Sequence, residues 1–183
     1  YGLKMEFQLI FDKMAKELLG RDFYQESTWL RNAGGFILYS TLPGYTASSL
    51  TMRYGDTSKY NYGSHGPVYQ LFNLAGEYRD PYLQQLALDM LKKDISAADR
   101  MGWADLLWYD ETVDARPIDE LPAFRHFEDT GWITTRSDWG SDAVMVGFKC
   151  GPPHGHAVQA LYNRMKTFHQ IVNGHGHPDV GQF

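Results

Sequence analysis

The chain of 183 residues contains one cysteine, Cys150, so no internal disulfide framework holds it together. It has no apolar run approaching the ~18 residues that a membrane-crossing helix needs. It has no excess of positive charge either. Lys and Arg number 17 against 22 Asp and Glu, a formal net charge of −5, which argues against a sequence-independent grip on nucleic acid. Low complexity is also missing: 43% hydrophobic and 21% charged residues are an ordinary globular mix, unlike a disordered tail or linker. There is no GxGxxG, no P-loop and no repeat of fixed period.

Aromatic residues are abundant instead, with 12 Tyr, 10 Phe and 5 Trp making 15% of the chain. They fit two readings. One is a core rich in aromatics. The other is a sugar-binding cleft, where rings stack on the apolar faces of pyranoses. The first element starts without a cap and the last without a closing turn, so the sequence reads as an internal piece of a longer protein.

The first half reads as helices. Leu3, Phe7, Ile10, Met14 and Leu18 recur at helical spacing, with Phe11 and Ala15 widening the stripe and Gly20 as the stop. A second helix is predicted from about Glu26 to Tyr39, weakened by Gly34 and Gly35. Thr41 to Ser64 reads as a long connection, far beyond the usual ~4–6 residues, and thus as a functional loop or an exposed one. Val68, Leu71, Phe72 and Ala75 mark a third helix. Asp80-Pro81 opens a fourth, with Leu83, Leu86, Ala87, Met90 and Leu91 as its buried stripe. Ser96 is the candidate cap of a short fifth helix through Met101, Trp103 and Leu107.

After Arg116-Pro117 the pattern changes. Phe124 to Phe127, Gly131 to Arg136 and Ala143 to Cys150 read as strands, as do Phe168 to Val172 and Val180 to Phe183. Helices followed by strands, without βαβ alternation, predict an α+β chain with a helical domain over residues 1–115 and a β-domain over 116–183.

Five of the seven histidines follow Pro153, and four form two His-x-His pairs, His154/His156 and His175/His177. On a strand, positions i and i+2 share a face, so two imidazoles can converge on one metal or one substrate, with Asp179 continuing the phase of His177. Two ligands are fewer than the three or four that a zinc site takes. His154 and His156 read equally well as exposed loop histidines beside glycine and proline. Cys150 reads as a buried strand residue rather than a nucleophile, since nothing orients a triad around it.

The run Asn-Gly-His-Gly-His-Pro-Asp-Val-Gly-Gln-Phe over residues 173–183 resembles the signature of the heparinase II/III-like polysaccharide lyases. Gly-Trp-Ile-Thr-Thr-Arg over 131–136 and Gly-Phe-Lys-Cys-Gly over 147–151 resemble the strands that open that family's β-domain. Tyr1-Gly2 and Arg53-Tyr-Gly-Asp56 are similar to features of its alginate-lyase-like, exo-acting branch.

This resemblance implies the C-terminal part of an (α/α) toroid followed by the first strands of an antiparallel β-sandwich. It implies cleavage of a uronic-acid polysaccharide, of alginate or heparin/heparan sulfate type, by β-elimination. His175 takes the place of the catalytic histidine and Tyr1 that of the catalytic tyrosine. His177 takes the place of a ligand to a structural divalent metal, usually zinc, whose other ligands would follow Phe183. Arg136 is a candidate contact to an anionic substrate, or else a surface cation on a strand; Tyr45 is a candidate for sugar stacking. The partner implied is an anionic polysaccharide or oligosaccharide, with no nucleic acid and no membrane span, and the implied location is the periplasm or outside the cell. Two other readings stay open: a non-catalytic glycan-binding protein on the same scaffold, and a metal-dependent hydrolase using His175, His177 and Asp179.

Overall fold

A computed structural model describes residues 2–52, 67–95, 102–152 and 155–164. Helix α1 (Gly2–Leu19) ends at Gly20, which takes a left-handed φ of 64° that a side chain would strain. Asp22 caps the single-turn α2 (Phe23–Glu26) by accepting the Gln25 N–H at 3.2 Å. Ser27 then caps α3 (Thr28–Ser40), its hydroxyl accepting the Leu30 N–H at 3.2 Å. A hairpin follows, β1 (Thr41–Thr46) against β2 (Ser49–Thr51), antiparallel and with an irregular register between Thr41 and Thr46. Residues 41–51 are therefore not part of a long unstructured connection; Thr- and Ser-rich chain on both sides of a tight turn pairs as strand.

Helices α4 (Val68–Tyr78) and α5 (Pro81–Lys92) form a tight antiparallel pair. Arg79, at φ 53°, ends the first, and Asp80-Pro81 starts the second as the sequence predicts. One Asp80 carboxylate oxygen accepts the N–H of Tyr82 at 2.9 Å and of Leu83 at 3.1 Å. Helix α6 (Gly102–Leu107) comes next; the Ser96 cap proposed for it lies outside the described residues.

These helices pack around α4. Lys13 and Lys16 of α1 both bind Glu77 near the end of α4, while Tyr24, beside Leu9 O, reaches Asn73 further back, so α1 and α4 run the same way. Tyr69 stacks near Trp108, Phe72 near Tyr109, and Arg79 binds Asp110, so the segment just after α6 runs along α4. Helices α3 and α5 run the opposite way; Gly34 of α3 sits so close to Leu83 and Leu74 that only glycine fits without displacing them. Leu71, Leu74, Val68, Ala75, Ala87 and Met90, all fully buried, form the centre of the helical core.

The periodicity on α1 is real, but the stripe read from it is not the buried one. Of its members Ala15 is buried and Ile10 half-buried, but Phe7 is 64% exposed and Leu18 72%, with Phe11 and Met14 also exposed; Met5, Leu9 and Asp12, outside the stripe, are buried. The ion pairs to Glu77 and the Tyr24 hydroxyl on Leu9 O hold the helix in this rotation.

Beyond a 3-10 turn at Ile118–Glu120 comes a three-stranded antiparallel sheet in the order β3 (Phe124–Phe127), β4 (Trp132–Arg136), β5 (Met145–Lys149). All three strands fall where the alternation places them. The register pairs Trp132 with Phe127 and Lys149, and Arg136 with Met145. Gly131, at φ 63°, begins β4, and a side chain there would run into the carbonyl of Cys150. Cys150 itself is exposed just past the end of β5, contrary to the buried strand position expected for it. The valines of β5 also face outward: Val144 is 70% exposed and Val146 50%, while Gly147 and Lys149 face in.

The last described element is α7 (His156–Arg164), a helix where the sequence suggests loop. Its start is held by Asp129 in the β3–β4 turn, whose backbone oxygen accepts the His156 N–H at 2.7 Å and whose carboxylate accepts the Ala157 N–H at 2.8 Å. The strands expected at Phe168–Val172 and Val180–Phe183 lie outside the described residues. The chain is thus α+β, with helices and two small antiparallel sheets.

Candidate functional site

The described functional groups gather on the face of the sheet that meets α3 and the hairpin. Alternation puts Trp132, Thr134 and Arg136 of β4 on that face, together with their partners Lys149, Gly147 and Met145 on β5. Phe36 of α3 stands edge-on to Phe127 at 5.2 Å between ring centroids and tilts toward Trp132 at 6.3 Å. Tyr39 stands edge-on to Trp139 at 5.4 Å and donates its hydroxyl to Pro122 O at 3.1 Å. Met52, just after β2, covers Gly147 where a side chain would clash.

Arg136 is 8% exposed, so it is not a surface cation. One terminal nitrogen donates to Tyr39 O at 3.2 Å and Thr41 O at 3.0 Å, and its guanidinium lies 4.0 Å over the Trp139 ring. Those carbonyls belong to the last turn of α3 and its cap, where a helix leaves oxygens without intrahelical partners and favours a cation. Burial pulls the pKa of Arg136 below its ordinary value. The side chain joins the sheet to α3.

Tyr45 sits half-buried on β1. Lys93, after α5, lies 3.9 Å over its ring and donates to its backbone oxygen at 3.2 Å. Burial pushes the phenol up to about 12, and the nearby Asp89 charge adds to the shift. At neutral pH this hydroxyl is a hydrogen-bond donor and not a base.

Three of the five candidate site residues, Tyr1, His175 and His177, lie outside the described residues, as does His154. His156 is the exposed first residue of α7, so the strand geometry that would pair it with His154 does not apply. Arg136 and Tyr45 are both described, on different sheets. Among the described residues no group of three or more His, Cys, Asp or Glu is placed to hold a metal. No described helix is long and apolar enough to cross a membrane.

Lys149 is the residue that sequence reasoning passes over. It is 7% exposed on the inner face of the sheet, and its ammonium has no hydrogen-bond partner among the described residues. The signal was available: Lys149 shares the phase of Gly147 and Met145 on a strand whose other phase carries Val144 and Val146. Much of the aromatic excess is absorbed by packing, with Tyr24, Tyr69 and Phe72 fully buried among the helices. The chain matches no family model and no curated protein sequence.

Proposed function

We propose that this chain is part of a polysaccharide lyase that cleaves a uronic-acid polymer by β-elimination. The observation that carries the reading is the placement of the two β-domain stretches, Gly-Trp…Arg and Phe-Lys-x-Gly. They pair as neighbouring antiparallel strands, β4 and β5, on a sheet packed beside the helices. Upstream helices of alternating direction agree with a piece of an (α/α) toroid, and an antiparallel sheet after them agrees with the start of a β-sandwich. The His175-x-His177 run supplies the chemistry.

The C5 proton of a uronate is weakly acidic, so the adjoining carboxylate must be neutralised by a cation or strong donors where negative charge develops. A base then takes the C5 proton, and an acid protonates the departing O4. His175 and Tyr1 fill these roles in the proposal. An imidazole titrates near neutral pH and serves either as base or as acid, whereas a phenol with an ordinary pKa near 10 needs its partner's help to ionise. Tyr45 offers an amphipathic ring for stacking. Arg136 serves the site by fixing the sheet against α3, its inner nitrogen being committed to Tyr39 and Thr41. Zinc, bound through the neutral imidazole of His177 and ligands elsewhere, would brace the β-domain wall. The same reading places the protein in the periplasm or outside the cell, acting on an anionic glycan.

The test follows the absorbance of the new C4–C5 double bond on alginate, heparin, heparan sulfate and chondroitin sulfate. The full-length protein and its His175→Ala variant are compared. A signal on one polymer, lost by about a hundredfold or more in the variant, is the expected result, since positioned acid–base groups contribute 10²–10⁴-fold. No double bond from folded wild type on any polymer overturns the lyase reading; reducing ends formed without unsaturation, and abolished by chelator, would indicate a hydrolase.

A further inference from the structure

We draw no further inference here: the strongest candidate, the exposed apolar face of α1 formed by Phe7, Phe11, Met14 and Leu18, has nothing in the structure to show what covers it.

Discussion

The helical region and the three-stranded sheet are built on different physics. Between the helices the buried residues are chiefly Leu, Val, Ile, Ala, Met, Phe and Tyr, with a few directed contacts such as Tyr24 to Asn73 and Gln84 to Asp110 O among them. In the strands β3 to β5, Trp132 is the one buried hydrophobic side chain, and Thr134, Arg136 and Lys149 are buried beside it. The sheet is attached by ring edges and by the two hydrogen bonds of Arg136, which demand a particular orientation. A non-directional core tolerates sliding, whereas a polar interface fixes one position. The face that carries the candidate chemistry is the one whose position is set by direction.

The largest effect is expected in the helical core. Phe72 of α4 is 1% exposed and stands edge-on to Tyr109 at 5.2 Å. Phe72→Ala should cost about 3–5 kcal/mol, through lost burial and the cavity left behind. Urea unfolding followed by far-UV circular dichroism measures it. A loss below about 1 kcal/mol would break the comparison, since the helices would then not depend on close packing.

The next effect is smaller and local. Arg136→Met retains the bulk over Trp139 but leaves Tyr39 O and Thr41 O without their donor, at a cost of about 2–3 kcal/mol. The change should appear in tryptophan fluorescence and in faster amide exchange along β4, while amides of α4 keep their protection. Equal loss of protection in both regions would show that sheet and helices form one cooperative unit.

The parts legible in the sequence are those whose causes are local. Asp80 and Pro81 cap the helix they begin, and Gly20 ends α1, because a cap needs only neighbours in the chain. Strands β3 to β5 show in their alternation and in the turn residues between them. The rest depends on distant partners. The start of α7 is held by Asp129, from a turn before β4, so Pro152-Pro153-His154-Gly155 reads locally as loop. Helix α1 carries apolar residues on two faces, and contacts with Glu77 and Tyr24 hold one of them inward. At the site, Arg136 shows in the sequence only as a cation on a strand; its partners Tyr39 and Thr41 come from the other half of the chain. Lys149 was hidden by the habit of assigning lysine to solvent.

The smallest effect tests a buried carboxylate within the helical region. Asp12 on α1 is fully buried, and one of its carboxylate oxygens has no partner among the described residues. The other accepts from Gln8 at 2.7 Å. Burial raises its pKa, the Gln8 bond opposing only in part, and the phenols of Tyr24 and Tyr78 lie within reach of its charge. A carboxyl whose pKa is raised on folding binds its proton more tightly in the folded state than in the unfolded one. Stability therefore falls as pH rises from the ordinary value of 3.8 through the raised one. Asp12→Asn keeps an acceptor for Gln8 and removes the buried charge, at the lesser cost of a neutral amide. It should stabilise the chain at pH 7 by on the order of 1 kcal/mol or less, with the gain shrinking as pH falls toward 3. Thermal unfolding of both proteins across that range measures the difference, in which the other carboxylates cancel. A gain that stays constant with pH would mean that folding does not shift the pKa of Asp12. A loss at pH 7 would mean that its charge is matched by partners within the helical region.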